Sequence, residues 1–498
     1  MNPEPGRLRA DIRLWAILGL ALLVRLLALR TGTVLADLQL VGDEGNYVFN
    51  AAAMLDGTLA AQDLALPWMR APLLPLAIAG LARLTGSSPL VTIVPIALLH
   101  ILISVAMAGL AAGIAERLAG RRAALLAAAI MALLPAWIFY PQLVLSETLY
   151  SFFLLWSLWL LARQEAGRPL RPGFWLALGG VLGLAALSRS AIMTALPLYW
   201  LAGWLLLGRW RPALAAALLT TGALALVVAP WTYRNYVDHQ TVVLVDTTGP
   251  YTLWQDNTPL DRPEVKAKVM SLPTVAERQA FVSAAFREEL ARDPGRFAGN
   301  AAARLLRAPL PDPTQIYRDD WLRTYPDGNP LWAELYGLGS ALSYALLAPL
   351  ALLGGLALWR GRRWGSPQRI FVLLAGGLFA HYLVQTMTTH FSQRFLVPLF
   401  PAFAALAASA LAAWRPVLRQ TGATWAGRLA LALIALFLVG GARYNAPALA
   451  MAKADWLWWR GADCAGESDL AALRDAAASA PKNTWRLTTA IGRCELRL

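Results

Sequence analysis

Five charged side chains lie where an otherwise apolar chain has least use for them. They are the adjacent carboxylates Asp43 and Glu44, the lone Glu147, and the arginines Arg189 and Arg394. Charge beside or within hydrocarbon is costly unless it is paired or used, so each marks a candidate site. Asp43 and Glu44 occur in Val41-Gly42-Asp43-Glu44-Gly45-Asn46-Tyr47, directly after an apolar stretch. A carboxylate there can take a proton from an attacking hydroxyl, or the pair can hold a divalent metal; a solvated loop acid is the plain alternative. Glu147, in Ser146-Glu147-Thr148, opens an apolar helical stretch. It can serve a site or simply complement the helix dipole. Arg189 and Arg394 each offer a planar fork of donors suited to a lipid-linked phosphate, against the alternative of snorkelling to the interface. Arg70, beside Ala71-Pro72-Leu73-Leu74-Pro75, is a further candidate of this kind. His381 and His390 are isolated, and isolated histidines more often hydrogen-bond than ligate a metal. No phosphate-binding glycine loop, dinucleotide fingerprint, Ser-His-Asp nucleophile or zinc cluster is legible.

Helices that cross a membrane must position these residues. Of the 498 residues 58% are hydrophobic and only 15% charged, against roughly 25% charged in a soluble domain. Apolar runs recur, each long enough to cross hydrocarbon about 30 Å thick. The fold class expected is all-α and polytopic, with about 11 transmembrane helices. They are placed at 12–35, 88–115, 123–141, 143–162, 173–189, 190–208, 212–232, 336–359, 367–389, 393–414 and 427–445. The net charge of +14 comes from arginine clusters between these runs, such as Arg117/Arg121/Arg122 and Arg360/Arg362/Arg363. That is the positive-inside pattern, which makes those loops cytoplasmic and argues against a nucleic-acid partner. Of the 30 acidic residues only Glu4, Asp11, Glu116 and Glu165 then fall on the cytoplasmic side. All the candidate residues above fall on the outer side.

The chain divides on this reading into an N-terminal transmembrane module (1–232) with a first external loop (36–87), a large external loop (233–335), further transmembrane helices (336–445) and a small external tail (446–498). The apolar run 71–82 is too short to cross and reads as an interfacial or partly re-entrant helix. The large loop reads as mixed but mainly helical. It has a β-like stretch over Thr241–Val245 and helices over 274–292 and 294–307, the second opened by Asp293 as N-cap and Pro294 as first helical residue. Gly179-Gly180 and Gly354-Gly355 read as close-packing positions within helices. Cys464 and Cys494 lie in the tail, where an oxidising compartment favours a disulfide over two free thiols.

Together these residues resemble the membrane-embedded C superfamily of glycosyltransferases, which use polyprenyl-phosphate sugars. The bacterial enzymes similar to protein O-mannosyltransferases and lipid A aminoarabinose transferase come nearest. The resemblance rests on Asp43, Glu44 and Tyr47 in the first loop, on Ala71-Pro72-Leu73-Leu74-Pro75 and on Ser146-Glu147-Thr148. It also rests on Leu187-Ser188-Arg189, on Pro230-Trp231-Thr232-Tyr233-Arg234-Asn235-Tyr236 and on Arg394-Phe395-Leu396-Val397-Pro398. Ala71, Leu74 and Ser190 depart from the family's proline, tyrosine and proline. The resemblance implies inverting transfer of a sugar from a polyprenyl-phosphate donor to the hydroxyl of a glycolipid, polysaccharide or protein acceptor. It places this at the outer face of a bacterial cytoplasmic (inner) membrane. Asp43 would be the base, and Glu44 and Glu147 would orient substrate or help hold a divalent metal. The donor phosphate would lie near Arg189, Arg394, Arg70 or Arg234, with Tyr47 and His390 beside the substrate. No cofactor is otherwise implied. The competing class, a transporter or flippase of a lipid-linked glycan, predicts repeated topology and broken helices with charge near the midplane, whereas here no repeat is legible and charge concentrates at the outer surface.

Overall fold

The computed structural model describes residues 11–29, 43–164, 171–307, 330–359, 366–389 and 393–413, with a few single positions beyond. Among them every regular element is helical. The chain opens with α1 (Ile12–Leu27), whose N-cap Asp11 accepts from the Arg13 amide. The next described segment supplies α2 (Glu44–Asp56), α3 (Leu59–Leu64) and α4 (Leu73–Thr85). As the short apolar run 71–82 suggested, α4 is an amphipathic piece: Leu74, Pro75, Ile78, Ala79 and Ala82 are buried at helical spacing. There follow α5 (Ile93–Ala119), α6 (Arg121–Leu133), α7 (Pro135–Phe139), α8 (Glu147–Ala162), α9 (Pro172–Ser188), α10 (Leu196–Leu207) and α11 (Trp210–His239). After the large loop come α16 (Pro330–Trp359), α17 (Pro367–Thr388) and α18 (Phe400–Ala412).

Among the described residues, four helical segments are long and apolar enough to cross a membrane: Ile93–Ala119, Ser190–Leu207, Trp210–His239 and Pro367–Thr388. The bent pair Arg121–Leu133 and Pro135–Gln142 makes a fifth if it is taken as one span. Helices occupy most of the other expected spans, but several are shorter than a full crossing. The bundle breaks into 3₁₀ turns or kinks at Pro135, Ser190 and Val397-Pro398. The expected span 427–445 and the pairing of Cys464 with Cys494 lie outside the described residues.

Close packing holds the bundle together, and glycine allows it. A β-carbon on Gly179 would collide with the backbone carbonyl of Thr220, and one on Gly354 with that of Leu406. Gly180 and Gly355 meet nothing comparably close, so one member of each pair forms the contact. Gly179→Val is expected to force α9 and α11 apart. It should destabilise the protein by about 1–3 kcal/mol or more, read as a lower thermal midpoint in lipid discs.

Every regular element in the described part of the large loop is a helix. It comprises α12 (Thr248–Gln255), α13 (Arg262–Met270), α14 (Val275–Arg292) and α15 (Pro294–Arg307). Capping boxes at Asp261/Glu264 and Thr274/Glu277 start α13 and α14, and Asp293 accepts from the Arg296 amide at the start of α15. Thr241–Val245 does not form a strand. Val243 and Val245 are buried while Val242 and Leu244 are exposed, a true period of two. Side chains of α11, not a strand, satisfy its carbonyls. Asn235 Nδ2 donates to Val243 O (3.0 Å), Trp231 Nε1 to Val245 O (2.9 Å) and Thr232 Oγ1 to Leu244 O (2.8 Å). The alternation is satisfied by docking on a helix, so it carries no information about a sheet. The segment before α4 and the segment before α12 are zipped together. Met69 N donates to Thr247 Oγ1 (2.8 Å), Thr247 N to Met69 O (3.3 Å), and Trp68 packs on the core formed by Tyr251, Trp254, Val265, Val269 and Val282.

Candidate active site

Each of the singled-out charged residues stands at a break between elements, where side chains are not committed to a helix face. Asp43 immediately precedes α2 and Glu44 begins it; Glu147 begins α8; Arg189 follows α9; Arg394 lies in the 3₁₀ turn Gln393–Phe395. The breaks converge. Asp43 Oδ1 accepts from Arg70 Nη2 at 2.6 Å and its Oδ2 from Arg394 Nη1 at 3.0 Å. Arg394 Nε donates to Glu147 Oε1, and Arg189 Nη1 lies 3.5 Å from the same oxygen. The result is an alternating chain, Arg70–Asp43–Arg394–Glu147–Arg189, carrying three cations and two anions. Glu147 is wholly buried, whereas the Asp43 side chain keeps about a third of its surface.

Glu44 does not join Asp43. It turns into the protein, where Oε1 accepts the Val144 amide at 2.7 Å. Neighbouring residues at a helix start point about 100° apart, so adjacency in sequence does not make a two-carboxylate site. Among the described residues no three His, Cys, Asp or Glu side chains come together to hold a metal. With both Asp43 oxygens bonded to guanidiniums and Glu44 turned inward, the pair does not fit a divalent cation. Tyr47 donates from Oη to Ser146 Oγ (3.1 Å), tying α2 to the start of α8.

Two members of the chain reach a cavity of about 310 Å³. Arg70 and Arg189 line it with Tyr47, Tyr150, Asp246 and His381, and its apolar wall includes Leu378, Phe395 and Leu399. Arg189 also lies over the Phe395 ring, 4.8 Å from its centre. Burial pushes the Asp43 carboxyl up, but the Arg394 and Arg70 guanidiniums outweigh burial and hold it below the ordinary carboxylate range. Asp43 is therefore ionised at neutral pH. The opposite holds at Asp246, where burial wins over the bonds from Ser190 and the Thr248 amide and raises the carboxyl.

The structure does not bring Arg234 to this cavity. It bonds Asp63 Oδ2 (2.6 Å) and Asp238 Oδ2 (2.7 Å), and His239 Nε2 meets the same Asp63 oxygen (3.0 Å). That cluster fastens α3 to the C-terminal end of α11. His381 Nε2 hydrogen-bonds Thr194 Oγ1 (2.7 Å), the ordinary role expected of an isolated histidine. His390 lies outside the described residues. Sequence reasoning missed Asp246 and Tyr150. Asp246 ends an extended segment and is unremarkable locally; only its docking against Ser190 makes it part of the wall.

Residues 69–233, about a third of the chain, match the family model described as dolichyl-phosphate-mannose-protein mannosyltransferase. The match contains Arg70, Glu147 and Arg189 and stops short of Asp43 and Arg394. No curated protein matches the chain by sequence. Among solved structures it is similar to the Archaeoglobus fulgidus oligosaccharyltransferase AglB in complex with an inhibitory peptide and a dolichol-phosphate. The identity is 15% and the TM-score 0.48, over 86% of this chain and 54% of that one. It is also similar to Cupriavidus metallidurans ArnT bound to undecaprenyl phosphate, at 16% identity and a TM-score of 0.36, over 81% and 78%. The chain spans about half the length of the archaeal enzyme.

Proposed function

We propose that this membrane protein is an inverting glycosyltransferase that moves a sugar from a polyprenyl-phosphate carrier to an acceptor hydroxyl. The reaction would take place at the outer face of a bacterial inner membrane. The observation that carries the reading is the pairing of two arginines, Arg70 and Arg189, at one cavity with an apolar wall, beside an ionised Asp43. The matched family's donor, a dolichyl-phosphate mannose, supports the same substrate class.

In the reaction proposed, the donor's phosphodiester lies against Arg70 and Arg189 and its lipid runs out along the apolar side. The acceptor hydroxyl enters beside Asp43, which takes its proton. The oxygen forms its bond to the anomeric carbon on the face opposite the phosphate. The phosphate leaves with the electron pair of the broken carbon–oxygen bond, gaining one negative charge. The ion-pair chain has one cation in excess, so guanidiniums already in place meet that developing charge. Glu147 holds Arg394 and Arg189 in position, and Glu44 fixes the turn at Val144.

Polyprenyl-phosphate binding to the protein in lipid discs tests this assignment. Charge-assisted hydrogen bonds are worth about 1.5–3 kcal/mol, so Arg70→Gln and Arg189→Gln should each weaken binding about 10- to 100-fold. Arg234→Gln should change it less than about threefold, since that side chain is tied to Asp63. Equal effects from all three, or no binding by the wild type, would sink the assignment.

A further inference from the structure

α1 carries an arginine in its apolar sequence, Arg25, whose side chain is fully buried. The expense of such a group in a membrane asks what it does. Arg25 Nη2 donates to Met131 O at 2.9 Å, Nη1 to Ala132 O at 3.2 Å and to Ala21 O at 2.9 Å, and Nε to Ser104 Oγ at 2.5 Å. Met131 and Ala132 belong to the last turn of α6, just before the 61° bend that separates α6 from α7. Pro135 causes that bend. In a continuing helix the amide of residue 135 would donate to Met131 O, and proline has no N–H to give. The amides of Trp137 and Ile138 turn instead to Leu134 O, starting a new helix. The carbonyls left behind carry the negative end of the α6 dipole, away from water. The guanidinium of another helix occupies them.

Beyond the bend, residues 139–151 are all buried. They contain the contacts on which the candidate site stands. His100 Nδ1 donates to Leu143 O (3.1 Å), Val144 N to Glu44 Oε1 (2.7 Å) and Tyr47 Oη to Ser146 Oγ (3.1 Å), and Glu147 follows. Irregular backbone at this depth persists only where protein groups satisfy it.

We infer that Arg25 is a positioning residue: it caps α6 from outside, holds the bend at Pro135, and so sets the turn that presents Glu147 to Arg394 and Arg189. Its kinetic consequence rests on the transferase reading; its structural consequence does not. Arg25→Met is expected to lower the thermal midpoint and to speed amide exchange over residues 140–147 on the order of tenfold. It should lower kcat about 10- to 100-fold through misplacement alone. Adding Pro135→Ala returns an amide to Met131 O and lets α6 run straight. The double variant should recover the thermal midpoint while kcat and exchange protection stay low. Recovery of all three together would show that Arg25 only stabilises the fold, and would overturn the inference. Unchanged exchange in Arg25→Met would overturn it too. Should Arg25→Met not fold, Arg25→Lys decides. One ammonium cannot serve the same four acceptors, so kcat and protection should both fall; wild-type values for both would refute the role. A wild-type protein that transfers no sugar would remove the transferase reading, and the exchange measurements would still judge the arginine.

Discussion

Asp43→Asn should lose nearly all transfer of sugar from a polyprenyl-phosphate donor, with kcat falling about 10²- to 10⁴-fold, the usual worth of a general base. The substitution keeps the side chain's size and one acceptor oxygen, so Arg70 and Arg394 lose a charge partner without a steric change. Binding of polyprenyl phosphate should survive, and even strengthen, because two guanidiniums are released from a competing anion. Turnover that persists in Asp43→Asn would remove the base assignment while leaving the phosphate site standing. The pH dependence has a definite sign. Asp43 is held below its ordinary value in the folded protein, so its ion pairs support the fold at and above the ordinary carboxylate pKa of about 3.9. That support is lost only as pH falls through the lower folded value. In the ligand-free protein an acid limb of stability assigned to Asp43 should therefore lie below about pH 4, and Asp43→Asn should remove it.

Arg394→Met should be among the most destabilising single changes in the protein. It strips Glu147, which has no exposed surface, of its closest cation and leaves only Arg189 at 3.5 Å. Removing one partner of a buried pair costs about 3–5 kcal/mol, because the remaining charge stays desolvated. Glu147→Gln makes the same error from the other side. The double variant Glu147→Gln with Arg394→Met removes both charges, and should be more stable than Arg394→Met alone. Thermal midpoints in lipid discs should separate the two by up to about 3–5 °C, with activity lost in both. Equal midpoints would show that Glu147 draws its stability from elsewhere.

The candidate site was legible in the sequence to an uneven degree. Asp43, Glu147, Arg189 and Arg394 stood out because each breaks an apolar pattern or the positive-inside rule, and both signals survive without knowledge of the fold. Arg70 was visible only beside a proline-rich segment. Glu44 and Arg234 carry the same chemical character as their neighbours, and nothing local says which way they face. The structure sends Glu44 to the Val144 amide and Arg234 to Asp63. Asp246 and Tyr150 gave no signal, since a wall residue is defined by what stands opposite it. Thr241–Val245 shows the same limit from the side of secondary structure: alternation reports two faces, and a helix can bury one of them as well as a sheet can.

By itself the sequence determined that this is a helical membrane protein, where its main apolar runs lie, and which charges those runs do not explain. Hydrophobic run length and arginine placement are local quantities, and the bilayer reads them locally. Tertiary structure alone decided that the unexplained charges form one alternating chain beside one cavity. Each sits at a break between elements, and where a break points depends on long-range contacts such as that of Arg25 with Met131 O. Hydrogen bonds between residues about a hundred positions apart have no signature in either residue's neighbours, which is why the site had to be seen assembled.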